Sequence, residues 1–123
     1  MPSEYRARID DLAEEAAAAR ASFDPPADPP DEERALAVCR EGVGAAVAVY
    51  VDARTGEWHR FGEAEFDRLE RALNTHLELY ARCYGVEIDP DHSVRTAAEA
   101  LLDTHNVVDV AQILTGVPDR DDE

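Results

Sequence analysis

Residues 62–85 read GEAEFDRLERALNTHLELYARCYG, and their spacing predicts the longest helix of the chain. Apolar side chains recur every three or four residues through this stretch, which is the spacing of one helix face. Gly62 stands where the helix would be capped, Glu65 follows three residues later as in a capping box, and Gly85 stands where the helix would end. A helix of this length spans about 33 Å. We therefore expect it to be the centre of the core.

Composition divides the chain into four segments. Residues 1–23 carry a single apolar helical stripe, and two of its six positions are alanine. Residues 24–30 contain four prolines, which end a helix and favour an extended linker. Residues 31–118 are expected to form the compact core, and residues 119–123 an acidic tail. Because the stripe of residues 1–23 is thin, that helix should pack closely against another helix, on its own core or on a partner.

A β-hairpin is predicted between residues 45 and 61. Two glycines, Gly42 and Gly44, favour the end of a short preceding helix. From Ala45 to Asp52 apolar residues occupy both sets of alternating positions, as in a strand covered on both faces. A turn sequence then leads into a second strand, Glu57–Phe61. The expected fold is α+β and mostly helical, with four to five helices and one β-hairpin packed on the long central helix.

Two short helices are expected after the central one. Ser93 and Asn106 are N-cap residue types that directly precede apolar helical patterns. The pair resembles the first two helices of a helix-turn-helix unit, but acidic residues 119–123 stand where a recognition helix would follow. We therefore interpret the pair as an αα-corner that closes the core.

The charge of the chain is strongly and evenly negative. All 12 basic residues are arginine, against 28 Asp and Glu, for a formal net charge of −16. Residues 1–30, 31–60, 61–90 and 91–123 carry net charges of −4, −2, −4 and −6. At molar salt the screening length falls to about 3 Å, which removes most of the self-repulsion of such a chain.

This composition resembles that of cytosolic proteins from extreme halophiles such as haloarchaea. The resemblance implies an acidic surface that keeps the protein hydrated in high salt. The alternative interpretation is that the acids mimic nucleic-acid phosphates and recruit a basic partner.

Other patterns bear on location. The longest apolar run is far short of the roughly 20 residues that cross a bilayer, and the first residues, MPSE, lack the parts of a signal peptide. Cys39 and Cys83 lie in separate segments without C-x-x-C spacing, which is typical of reduced, buried thiols. A Cys39–Cys83 disulfide is the alternative. We expect a cytoplasmic protein that does not bind membranes.

Few residues suggest chemistry. His76 and Cys83 lie seven residues apart on one side of the central helix, and a third ligand from Cys39 or His105 would complete a candidate metal site. Both also fit the apolar flank of a core helix, where His is usually hydrogen-bonded and Cys acts as a small hydrophobe.

Four aromatic residues form a candidate ligand pocket between hairpin and helix: Tyr50, Trp58, Tyr80 and Tyr84. The same side chains would equally serve as core. No catalytic residue and no cofactor is predicted.

The expected function is that of a small, non-enzymatic, cytosolic interaction or regulatory module. A hairpin that is apolar on both faces needs a cover, so a homodimer is expected. The hairpins would pair across a two-fold axis, or the long helices would pack together, with the helix of residues 1–23 clasping the partner. The expected partners are a second copy and an unidentified protein, and not nucleic acid.

Two alternative functions stay open. In a winged-helix-like transcription regulator, Glu32–Glu41 would be the reading helix and Ala45–Phe61 the wing, although this helix offers only Arg34 and Arg40 among four acids. The second alternative is a small metal-dependent enzyme.

Overall fold

The computed structural model describes residues 4–55 and 62–117, and all regular structure in these ranges is helical. The α-helices are α1 (Glu4–Ala21), α2 (Glu32–Val38), α3 (Gly44–Thr55), α4 (Glu63–Cys83), α5 (Val94–Thr104) and α6 (Val107–Thr115). A π-helical segment, Cys39–Val43, joins α2 to α3 without a break and is called the π-segment below. The prediction of a mostly helical chain is confirmed. The prediction of a β-hairpin is wrong, because the described ranges contain no strand.

The predicted first strand, Ala45–Asp52, lies inside α3. A continuous apolar run fits a buried helix as well as a buried strand, because neither needs a polar face. Val47 is fully buried and Val49 is 2% exposed, so α3 is deep in the core. Gly44 has a helical φ of −61°, so the helical run continues through it. The predicted second strand, Glu57–Phe61, lies outside the described residues.

α4 is the centre of the core. Its band of apolar side chains is at most 1% exposed at Leu69, Leu73, Leu77 and Tyr80. The backbone N–H of Gly62 donates to Glu65 Oε1 at 3.0 Å, which caps the start of the helix as its sequence indicates. α1, α2, the π-segment and α6 all pack against α4.

α1 packs on α4 of its own chain and runs in the same direction. Arg68 forms an ion pair with Asp10, and Arg20 donates to both carboxylate oxygens of Glu78, at 3.0 and 3.4 Å. Both pairs join residues that are 58 positions apart. A constant offset means that the two helices lie side by side in parallel, with residue n of α1 level with residue n + 58 of α4.

The connection from α4 to α5 is held by side chains of α4. The Asn74 amide donates to the carbonyls of His92 and Glu70, both at 2.9 Å, and accepts from the His92 N–H at 2.8 Å. Glu70 accepts from the first N–H of α5, at Val94, and the His92 ring contacts the Leu114 carbonyl at 2.7 Å. This network fixes α5 and α6 relative to α4.

We predict that Asn74→Ala lowers the free energy of unfolding by about 2 kcal/mol, because it leaves half-buried backbone groups of His92 without their partner. Chemical unfolding in molar KCl measures the loss. Arg95→Ala is the control: it removes an exposed ion pair with Glu99 and should cost less than about 0.5 kcal/mol. Equal losses in the two variants would contradict a structural role for the Asn74 hydrogen bonds.

Candidate functional site

His76 lies where α4 meets the π-segment. The side chain is 8% exposed and its ring lies against the backbone of Gly42. A Cβ at Gly42 would come within 2.3 Å of His76 Cγ and Nδ1, so only glycine permits this approach. Short π-helical segments such as Cys39–Val43 are frequent at functional sites.

The His76 ring is neutral in the folded protein. Burial lowers its pKa below the ordinary 6.5, and the nearby Glu15 carboxylate opposes the shift only in part. The Nε2 atom is buried and has no hydrogen-bond partner among the described residues. His76 therefore makes the fold less stable than an apolar ring of the same shape would at this position.

A cleft of about 500 Å³ opens beside His76, between α1, α2 and α4. Its lining is mixed in charge, with Glu15, Glu41, Arg34 and Arg40 around an apolar base. Arg34 is already engaged, since it donates to the Asp24 carbonyl at 2.6 Å and stacks over the Phe23 ring at 4.3 Å. The cleft thus presents no single charge to a ligand.

The two cysteines are free thiols in the core. Burial, with a smaller contribution from neighbouring Cys83, raises the pKa of Cys39 to about 12. Burial also raises the pKa of Cys83. Both thiols therefore stay protonated near neutral pH, and a protonated thiol is a poor nucleophile and a poor metal ligand.

The candidate metal residues are separated along α4. His76 and Cys83 lie two helical turns apart, which is about 10 Å along the axis. Across residues 4–55 and 62–117, no group of three or more His, Cys, Asp or Glu side chains is placed to hold a metal ion. His105, named as a possible third ligand, caps the end of α5 at the surface with a left-handed φ of 57°.

The candidate pocket aromatics lie in two places. Tyr80 and Tyr84 pack together with ring centroids 5.4 Å apart, and the Tyr80 hydroxyl donates to the Val117 carbonyl at 2.8 Å. Tyr50 packs edge-on against Phe66 at 6.1 Å. Phe66 and Tyr80 are about 21 Å apart along α4, so Tyr50 does not join the tyrosine pair. Trp58 lies outside the described residues, so the four-residue pocket stays a prediction.

The outer side of α1 and α4 carries a feature that the sequence analysis missed. A furrow of about 540 Å³ runs between the two helices. Its floor and sides are small residues, and three arginines border it. Among the described residues no Asp or Glu lines it; the lining residues are Ala13, Ala16, Ala17, Arg20, Ala21, Arg68, Arg71, Ala72 and Thr75. In a chain with 28 acidic residues, such a lining is a distinct chemical surface.

An acidic depression adjoins the furrow along α4. It has a volume of about 460 Å³ and shares Arg20, Arg71 and Thr75 with the furrow. Five carboxylates line it: Asp67, Glu70, Glu78, Asp89 and Asp91. The signal of the furrow in the sequence is the alanine-rich second half of α1, because small residues on a helix permit close approach of another helix.

Comparisons with known proteins identify a family. The model of a family described as a domain of unknown function (DUF8055) matches residues 3–119, so the chain belongs to that family. No curated protein and no solved structure matches the chain. None of the helices in the described part of the chain has the length and apolar character needed to span a membrane.

We predict that Gly42→Ala destabilises the protein by about 1–3 kcal/mol, because the new methyl group overlaps the His76 ring and forces a shift in α4 or the π-segment. Gly44→Ala is the matched control. Its Cβ would lie 3.3 Å from the Cys39 carbonyl oxygen, so we expect a change within about 1 kcal/mol. Thermal unfolding of both variants in molar KCl tests the contact, and equal stabilities would refute it.

We also predict that acid weakens the fold through His76. The unfolded chain takes up a proton below about pH 6.5, whereas the folded chain resists it because burial lowers the pKa of His76. Stability should therefore fall as the pH drops from 7 to 5, by up to about 1.4 kcal/mol per pH unit from this group. His76→Phe keeps a planar ring that cannot titrate, so its unfolding free energy should depend less on pH. Identical pH slopes for the two proteins would exclude the mechanism.

Proposed function

We propose that this DUF8055 chain is a small interaction module that works as a homodimer in a cytoplasm of high salt concentration, and not as an enzyme. The furrow between α1 and α4 is the observation that carries the proposal. It combines an alanine floor, which lets another backbone approach closely, with an arginine border on a chain of net charge −16.

The distribution of carboxylates supports the adaptation to salt. Exposed acids occur on α1, α2, α4 and α5, for example at Glu14, Glu33, Asp67 and Asp103. Within the described ranges no Asp or Glu is buried. A carboxylate layer on several sides serves hydration and repels partners that are themselves acidic, whereas a docking patch for one cationic partner would gather the acids on one side.

The chemistry of the core supports a binding role. The thiols of Cys39 and Cys83 are held protonated by burial, and the His76 ring is enclosed against Gly42. Protonated thiols that are fully buried shape a core and do not react with a substrate. The winged-helix alternative loses its structural basis, because the first strand of its wing is part of α3 and Arg34 of its reading helix is engaged with Phe23.

One experiment tests both parts of the proposal. Far-UV circular dichroism and multi-angle light scattering are recorded on the same samples from 0.05 to 3 M KCl. We expect loss of helix at low salt, because repulsion among carboxylates is then unscreened, and a mass of twice 13.6 kDa at high salt. A chain equally helical at both extremes would overturn the salt adaptation, and a mass of 13.6 kDa at 3 M KCl would overturn the homodimer.

A further inference from the structure

We infer that the furrow is filled by α1 of a second copy, with Glu14 of the partner subunit against Arg71. This assignment rests on the proposed homodimer and adds its interface, its symmetry and one ion pair on which recognition depends.

The two ion pairs between α1 and α4 define the length of the furrow and its position along the helices. The ion pairs Arg68–Asp10 and Arg20–Glu78 flank its two ends, and they are ten residues apart on each helix, or about 15 Å. The same offset of 58 places Arg71 level with Ala13, inside the furrow. A segment of about three helical turns therefore fits between the two ion pairs.

Arg71 is the cation of the furrow that remains available. It is exposed, and it forms no ion pair with any residue of the described ranges. Arg20 and Arg68 are each bound to a carboxylate of the same chain. A helix that enters the furrow thus meets one guanidinium without an ion-pair partner in the described ranges, about a third of the way along. An acidic residue at that level would form an ion pair with it.

The outer face of α1 has the required chemistry. Tyr5, Ile9 and Ala16 are buried against the core. On the opposite side, Glu14 and Ala18 are exposed and lie four residues apart on one face. α1 is therefore a helix with acid and alanine on its free side, which suits an alanine furrow with a free arginine.

Two-fold symmetry brings these surfaces together. An axis parallel to α1 places α1 of each copy into the furrow of the other and leaves the level of every residue along the helix unchanged. Because Arg71 is level with Ala13, Glu14 of the partner subunit is only about 1.5 Å further along. The same axis sets Ala17 beside Ala17 of the partner subunit, where small side chains allow the two α1 helices to approach closely.

High salt favours this pairing. Two chains of net charge −16 repel each other at long range, and molar salt screens that repulsion over about 3 Å. The charges of a contact ion pair lie within the same distance of each other. Salt therefore weakens their attraction less than it weakens the long-range repulsion between the two chains. The Arg71–Glu14 pair then selects the register, since any arrangement that places two like charges in contact is disfavoured.

The test is a charge swap. Arg71→Glu and Glu14→Arg each place like charges in contact across the interface, so each should weaken the dimer at least about tenfold in sedimentation equilibrium at 2 M KCl. The double variant Arg71→Glu/Glu14→Arg restores an opposite pair and the net charge of the native chain. It should dimerise within about threefold of the native chain. Glu87→Arg, which changes an exposed loop acid, is the control and should leave dimerisation unchanged.

A cross-link gives a second measurement. Cys39 and Cys83 are fully buried, so a new surface cysteine is the reactive thiol of a folded variant. Ala17→Cys should form a covalent dimer within minutes when copper phenanthroline and oxygen are added, whereas Glu87→Cys should not. Circular dichroism confirms that each variant is folded at the salt concentration used.

The outcomes separate the interface from the proposed function. A native dimer that is insensitive to Arg71→Glu, or a double variant as weak as the single variants, overturns this interface and leaves the homodimer standing. A native chain that is monomeric at 3 M KCl overturns both. A folded, dimeric Ala17→Cys variant that gives no cross-link also rules out the proposed symmetry.

Discussion

The structure depends on the burial of one face of α4. Leu69, Leu73 and Leu77 are fully buried, and each side chain of this kind contributes about 1.5–3 kcal/mol through removal from water. α1, α2, the π-segment and α6 each bury part of their own surface against this helix. An acidic chain needs such a centre, because its self-repulsion opposes compaction and the burial of apolar side chains offsets that repulsion.

Two features follow from how closely other elements approach α4. On one side the π-segment comes so near that position 42 tolerates only glycine, and the buried His76 Nε2 has no hydrogen-bond partner within residues 4–55 and 62–117. On the other side α1 lies parallel to α4 at a fixed offset, and its alanines leave an open furrow instead of a filled interface. The first contact tightens the core, whereas the second leaves a surface that another helix can fill.

The sequence predicts the elements whose signals are local. The capping pattern and apolar spacing of residues 62–85 indicate α4, and the caps of α5 and α6 are Ser93 and Asn106, as their residue types indicate. The error at Ala45–Asp52 has a physical cause, since a run of Val and Ala without polar positions has no periodicity that separates helix from strand. The furrow was not predictable in this way, because it depends on the offset between α1 and α4. The ion pairs between residues 58 positions apart show that offset, and no local pattern in the sequence reveals it.

The negative charge of the surface restricts which proteins can approach and in which orientation. Most of the exposed charged residues in the described ranges are acidic, so an approaching protein of similar composition meets repulsion over most orientations. An opening lined by arginine and alanine is then the orientation with the least repulsion, and it gains selectivity because the rest of the surface excludes alternatives. The carboxylates of α1 thus have two roles. In the proposed dimer they hydrate the surface, and Glu14 of the partner subunit supplies the carboxylate for Arg71, so that one excess of acid would serve both solubility and self-recognition.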